Sequence, residues 1–517
     1  MCSSRRVNPS PRRFRAAAYS GSLAGSRASE RWRLIAQEER PPLHFDNRPP
    51  QNGRPPEAGG SRRRRSRRGR QRFENGAAPV TDIFAQPEFP QPVRPPLLSA
   101  AQLAEMSKTE LNELAKTFDI ATPVKIKKDD LAAQILEIAV ARSGLEVANG
   151  VLDILPEGYG FLRRAGYVAG ADDIYISQSQ IRRFELRRGD LVAGQVRKPK
   201  DNEKYYGIVK VESVNGLDPE AVRERPHFDA LVSVYPTERY TLEQRGVVST
   251  RVLDLFAPVG KGQRVLVAAP PKAGKTTLIK EIANAIGTNH PDAQVIAVLV
   301  DERPEDVTDL SRSIAGDVVA TSSDEYPELQ LNVAELVLER AKRLVELGRD
   351  AVIVLDSITR LTRAYNGAQP ASSRTVPGGL EAAALFRAKR YFGSARKVEG
   401  GGSLTIVATV FVETGAKIDD QIYEEFRRGA NGEIDLSRLL ADARIYPAID
   451  VKRSGTRHEE LLLAELELRK VWMLRRATVA MGAPEFAELV LERIGKTKTN
   501  AEFLTAMTDK AVAALKS

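Results

Sequence analysis

With 517 residues, 42% of them apolar, the chain is long enough for roughly two to four domains, and its longest near-apolar stretch, Ser403 to Val412, falls short of the ~18 residues a membrane helix requires. A single cysteine, Cys2, excludes an intrachain disulfide and fits a reducing compartment, and the N-terminus lacks the apolar core of a signal peptide, so a cytoplasmic protein with no membrane segment is expected. The formal charge of +10 is unevenly spread: residues 1–75 hold 19 arginines, no lysine and 6 acids, which leaves the rest of the chain net acidic.

Residues 1–96 are rich in Arg, Pro, Gly and Ser and include Arg62-Arg-Arg-Arg-Ser-Arg-Arg-Gly-Arg70. So little periodic apolar content cannot offset the entropy of ordering, and a disordered tail is expected. It reads either as an electrostatic arm for RNA or another polyanion, or as a solvated tail or over-long gene start. Over 97–145 the pattern turns helical. Ser107-Lys-Thr-Glu110 has the form of a capping box before Leu111, Leu114 and Phe118, and a second helical pattern runs through Leu131, Ile135 and Ile138.

Residues 146–222 carry five short β-rich runs separated by Gly, Asp and Pro, which suits a small β-barrel of the oligonucleotide-binding kind. In Gly158-Tyr159-Gly160-Phe161 two aromatics fall on one face of a strand with Arg163 in line, because strand side chains alternate. Aromatics interleaved with Arg stack unpaired bases, and Tyr175 and Tyr205 extend the set; ordinary core or surface aromatics are the alternative.

From 223 to 517, apolar runs at 295–300, 318–321, 352–355 and 404–412 alternate with helical patterns, implying an α/β domain with a mostly parallel sheet. Its centre is Arg264-Val-Leu-Val-Ala-Ala-Pro-Pro-Lys-Ala-Gly-Lys-Thr-Thr-Leu278, read as strand, phosphate loop and helix. Backbone N–H groups at a helix N-terminus wrap phosphates, Lys275 reaches the outer ones, and the Thr276 hydroxyl can ligate magnesium. Ala269 stands where the generic pattern has Gly. Asp356 ends an apolar run, where a carboxylate holds magnesium through water. Asp301-Glu302-Arg303 ends another, on the edge where α/β sheets bind ligands, so Glu302 can orient and deprotonate the attacking water. The four histidines are scattered and form no metal cluster.

From about Gly150 to Asn500 the chain resembles the family of the bacterial transcription termination factor Rho. The motifs are Gly158-Tyr-Gly-Phe-Leu-Arg163, Asp172-Asp-Ile-Tyr175, Ala269-Pro-Pro-Lys-Ala-Gly-Lys-Thr276, Asp301-Glu-Arg-Pro304, Leu355-Asp-Ser-Ile-Thr-Arg360, Tyr423-Glu-Glu-Phe426, Tyr446-Pro-Ala-Ile-Asp450 and Arg453-Ser-Gly-Thr-Arg457. The resemblance implies an OB-fold or cold-shock-like barrel joined to a RecA-like motor, multidomain α+β and α/β overall. It implies a homohexameric ring that binds nascent single-stranded RNA, hydrolyses ATP with Mg²⁺, translocates 5′ to 3′, and acts on the RNA polymerase elongation complex.

By that similarity Gly158, Tyr159, Gly160, Phe161, Leu162, Arg163, Asp173, Ile174, Tyr175, Glu203, Lys204 and Tyr205 form the primary RNA site. Gly260, Lys261, Gly262, Gln263, Arg264, Val265, Lys272, Ala273, Gly274, Lys275, Thr276, Thr277 and Arg303 contact ATP. Glu302 is the catalytic base, Asp356 and Thr276 the magnesium partners, and Arg457 an arginine finger for the neighbouring subunit. Val376, Gly378 and Gly379 lie in one pore loop and Lys417 in the other. Three features depart from the family pattern: Pro377 in the first pore loop, Tyr159 in place of Phe, and the long tail. Two other readings stay open, a rotary ATP synthase-type catalytic subunit and a non-enzymatic RNA-binding scaffold.

Overall fold

The computed structural model describes residues 103, 106–117, 126–142, 145–164, 166–200, 203–368, 375–376 and 379–507. The tail to residue 96 and Phe118 lie outside the described residues, and among those described no helix is long and apolar enough to cross a membrane.

Helices Lys108–Thr117 and Lys128–Arg142 pack through Leu103, Leu111, Ala115, Leu131 and Ile135. The capping box forms as expected. Ser107 Oγ accepts from the Glu110 amide at 3.3 Å while the Ser107 amide donates to Glu110 Oε2 at 2.7 Å, satisfying two otherwise orphaned groups at the helix start.

Five strands then close into a barrel in the order Glu146–Ile154, Gly160–Arg163, Ile174–Ile176, Tyr206–Val214, Leu191–Arg197. All pairs are antiparallel except Ile174–Ile176 with Tyr206–Val214. Alternation sends Leu152, Leu162, Ile174, Ile176, Val192 and Val196 into its core.

The larger domain is built on a sheet whose strands run Asp317–Ser322, Gln294–Glu302, Asp350–Asp356, Ser403–Phe411, Arg264–Ala269, Gly432–Asp435 and Gly455–Thr456. All neighbours on this path are parallel except the last pair. Both faces are covered, so the strands read as nearly continuous apolar runs. Val295, Ala297, Leu299, Val352 and Val354 join one core, and Ile296, Val298, Val300, Ile353 and Leu355 the other. Because all the central strands share one direction, their C-terminal ends gather on one edge, and three chemically important loops leave from it.

Barrel and motor meet through a buried ion cluster. Arg225 reaches Asp190 of the barrel at 2.7 Å and Glu346 of helix Pro327–Glu346 at 3.0 Å, and Arg187 reaches the same Glu346 oxygen at 2.9 Å. The other Glu346 oxygen accepts from the Phe228 amide at 2.9 Å. Charges taken out of water persist only when paired and fully hydrogen-bonded, and this arrangement meets that condition.

Candidate nucleotide and RNA sites

Strand Arg264–Ala269 ends at Pro270, and helix Lys275–Asn289 begins five residues later. Gly274 caps that helix at φ 89°, a left-handed conformation that side-chain-bearing residues rarely adopt. Beside the loop lies a cavity of about 560 Å³ lined by Lys272, Ala273, Gly274, Thr277 and, from distant segments, Val248 and Tyr446. An anion entering there meets the positive end of the helix.

The two carboxylates read from the strand ends converge on Lys275. Its ammonium bonds Asp356 Oδ1 directly and lies 3.7 Å from Glu302 Oε1. Asp356 is 1% exposed; its Oδ1 also accepts from Thr409 Oγ1 at 2.8 Å, while its buried Oδ2 has no partner among the described residues. An orphaned carboxylate oxygen beside a phosphate loop fits a hydrated divalent cation, with the Thr276 hydroxyl as a second oxygen ligand. Ser357, next in the chain, caps helix Ile358–Gly367 by accepting from the Arg360 amide. Among the described residues no group of three or more His, Cys, Asp or Glu forms a metal cluster.

Glu302 is buried and bonded to Arg360 at 2.5 Å. Burial, and then the Asp356 charge, push its carboxyl above the usual range against the pull of Lys275 and Arg360. Arg303 follows it, exposed, as the N-cap of helix Pro304–Ser313.

Gly260–Val265 fall elsewhere. They lie at the start of the strand whose far end opens the phosphate loop, separated from it by roughly 15–20 Å at about 3.3 Å per residue. Val265 and Gln263 are each 1% exposed, and the Arg264 guanidinium donates to the carbonyls of Gly429 and Ala395. The fold therefore separates this segment from Lys272–Thr277 rather than gathering both around one nucleotide. Arg457 shares the segment's edge: Thr456 pairs with Gly432, which pairs with Val265, and the Arg457 amide donates to Asn431 O. A cavity of about 220 Å³ brings Gln263, Arg264 and Arg457 together with Tyr235 and His458. The Arg457 side chain is exposed and makes no hydrogen bond or ion pair among the described residues.

On the barrel, Tyr159, Phe161, Tyr175 and Tyr205 form one aromatic surface. Ring centroids are 4.9 Å apart for Phe161 and Tyr205, 5.7 Å for Tyr159 and Tyr175, and 6.0 Å for Tyr159 and Phe161. Register sets this: Phe161 lies opposite Tyr175 across the strand pair. Gly158 turns the chain at φ 92°, and a Cβ there would sit 2.3 Å from Gln178 Nε2.

Arg163 lies on the same outer face, its guanidinium 5.6 Å from the Phe161 ring, but two carboxylates hold it, Asp153 and Asp173, each at 2.6 Å. Asp173 is itself buried, and Leu162 and Ile174 are core residues of the barrel. These three support the surface from below. Lys204 stands 5.3 Å from the Tyr205 ring, and Glu203 pairs with Arg197 at 2.7 Å, a contact that holds its carboxyl down at about 2.

Val376 pairs with Leu380 in a short hairpin that includes Gly379; Gly378, Pro377 and Arg374 lie outside the described residues. Lys417 is exposed at the start of helix Lys417–Arg427, whose buried Asp419 grips Arg363 at 2.6 Å.

The family model for the Rho termination factor RNA-binding domain matches residues 148–220, and that for the ATP synthase alpha/beta family nucleotide-binding domain matches 249–456. The chain is 52% identical over 415 residues to a transcription termination factor Rho from Bacillus subtilis, covering 80% of this chain and 97% of that one. Identity to the Thermotoga maritima protein of the same name is 50% over 410 residues, covering 79% and 96%. For the Aquifex aeolicus protein it is 48% over 418 residues, covering 80% and 96%.

Proposed function

The chain belongs to the family of transcription termination factor Rho, and on that premise we propose that it is an RNA-dependent ATPase that translocates 5′ to 3′ along a nascent transcript and releases it from RNA polymerase. The working unit is a homohexameric ring in the cytoplasm, with barrel and motor domains spanning about residues 146–222 and 223–517. The observation that carries this reading is the pairing, in one chain, of an exposed aromatic surface on a closed barrel with Lys275, Glu302 and Asp356 gathered at one sheet edge.

In the proposed cycle the amides of residues 272–277 and the Lys275 ammonium bind the phosphates, Lys275 exchanging its carboxylate partner for the nucleotide. A magnesium ion held through Asp356 and Thr276 would offset charge on the phosphate oxygens. Glu302, oriented by Arg360, takes the proton of the attacking water. Tyr446, across the cavity from the loop, offers a flat surface for the base. Arg457 and the 260–265 segment, turned away from the chain's own loop, serve the nucleotide of a neighbouring subunit. Such a head-to-tail contact generates a ring when its rotation closes.

The scaffold reading gives no task to Lys275, Glu302 and Asp356 gathered at one sheet edge, and the barrel's aromatic surface has no task in a rotary subunit. The test is ATP turnover with and without poly(C). Turnover near zero without RNA and strongly raised with it is expected, and high RNA-independent turnover would overturn the proposal. Lys275→Ala should abolish turnover in both conditions.

A further inference from the structure

The junction between barrel and motor holds a cavity of about 450 Å³ that neither the nucleotide site nor the barrel platform uses. Four cations line it, Arg188, Lys342, Arg387 and Arg390, against Glu335 and Glu339. The carboxylates are already engaged. Glu335 accepts from the Tyr365 hydroxyl at 3.0 Å and faces Arg188 at 3.7 Å, while Glu339 pairs with Lys342 at 2.7 Å and with Arg343 at 3.5 Å. Arg387 and Arg390 are different: both are exposed, and neither side chain has a hydrogen bond or ion pair among the described residues. Three residues apart on helix Ala382–Phe392, they share a face. The wall also contains the buried Tyr391, whose hydroxyl has no hydrogen-bond partner among the described residues.

Two further features indicate what enters. On the same helix Phe386 is 69% exposed, four residues before Arg390, so a bare ring flanks the guanidinium pair. Aromatic rings beside cations grip single strands, one stacking bases and the other meeting phosphates. Contacts also lead from the barrel platform to the cavity: Arg163 against the Phe161 ring, Asp153 shared by Arg163 and Arg188, and Arg188 in the cavity wall. In the other direction the helix begins directly after the Thr375–Val376 and Leu380–Glu381 hairpin assigned to the pore.

We propose that this face of helix Ala382–Phe392 and its cavity form a further contact for single-stranded RNA, holding backbone phosphates on the way from the barrel platform to the pore loops. The proposal rests on the reading of the barrel as the primary RNA site.

The test compares the unsubstituted full chain with Arg387→Gln/Arg390→Gln, titrating an oligocytidine of about 4 nucleotides, matched to the smallest barrel footprint, and one of about 25, over a range of salt. The short oligomer should bind both proteins equally. For the long one the log–log salt slope should fall by about 1.4, from two phosphates at about 0.7 each. Phe386→Ala, which removes no charge, should weaken only the long oligomer, by about fivefold or more, with the slope unchanged.

An unchanged slope in the double variant would overturn the proposal. So would equal loss for both oligomers, which would make the arginines props of the barrel, or loss of ring assembly by sedimentation, which would make the helix a subunit contact. Failure of the unsubstituted protein to bind the short oligomer would instead overturn the barrel reading, and the path from it.

Discussion

Replacing Phe161 separates stacking from packing on the barrel. Its ring lies 4.9 Å from Tyr205, 6.0 Å from Tyr159 and 6.1 Å from Tyr175, and it sits on the outer face while its strand neighbours Gly160 and Leu162 are buried. Phe161→Ala should weaken single-stranded RNA binding by about 1–3 kcal/mol, the usual worth of one base–aromatic stack, or roughly 5- to 150-fold in Kd. It also removes edge-on ring contacts worth about 0.5–1.5 kcal/mol each, so a modest fall in barrel stability accompanies it. Phe161→Leu keeps most of the apolar volume without a π-face: stability should largely return while RNA affinity stays low. ATPase activity on saturating RNA should survive both changes, since the ring contacts of Phe161 are all within the barrel and none reaches the groups around Lys275. The assay is filter binding of a short oligocytidine together with thermal unfolding. An unchanged Kd in Phe161→Ala, or full recovery of binding in Phe161→Leu, would refute stacking and make the ring a packing element.

Glu302→Gln should bind ATP with near-normal affinity in equilibrium titration yet show no turnover, because an amide cannot accept the water proton; turnover within tenfold of the parent would remove Glu302 from catalysis. Arg225→Ala leaves the buried Asp190 without its cation, while Glu346 keeps Arg187 and Arg343, and should cost about 3–5 kcal/mol in denaturant unfolding, a penalty that a surface-like loss of under about 1 kcal/mol would contradict. The Asp435 carboxyl, 3% exposed, is pushed up to about 6 from 3.8, chiefly by burial and against the pull of Arg453. The folded protein therefore holds the proton longer than the unfolded chain, and Asp435 subtracts stability progressively as pH rises from about 4 to 6, by roughly 3 kcal/mol at most. Asp435→Asn should flatten that part of the stability profile, and an unaltered profile would show an unperturbed carboxyl. Finally, Arg457→Ala and Lys275→Ala, each inactive alone, should recover single-turnover hydrolysis when mixed under subunit exchange; no recovery in demonstrated mixed rings would count against a finger acting in trans.

The phosphate loop was legible because local signals agree there: an apolar run, a glycine where φ must be positive, and a helical period beginning at Lys275. Asp356 and Glu302 were legible for a related reason, each being polar at the end of an otherwise apolar strand. What escaped depends on distant partners. Nothing near Arg163 in the chain announces that Asp153 and Asp173, ten residues away on either side, occupy its guanidinium. Arg360 and Thr409 join the centre only because strands Gln294–Glu302, Asp350–Asp356 and Ser403–Phe411 are neighbours. Gly260–Val265 and the phosphate loop are close in sequence, yet an extended strand carries their ends apart, a separation that no local pattern announces. The ion cluster joining Arg225 to Glu346 spans 121 positions and has no local signature.

The placement of Lys275 and Arg457 on opposite edges of one sheet has an arithmetic consequence. If the proposed sharing of centres between neighbours holds, a lone protomer owns half of two different centres and the whole of none. In the proposed head-to-tail assembly, a row of n protomers therefore holds n − 1 finished centres, with one bare loop at one end and one idle finger at the other, and closure alone supplies the last. Hydrolytic capacity then counts junctions rather than chains: dilution lowers it faster than it lowers protein concentration, and a gap in the ring silences a single centre at a known position, beside the opening through which a strand is threaded.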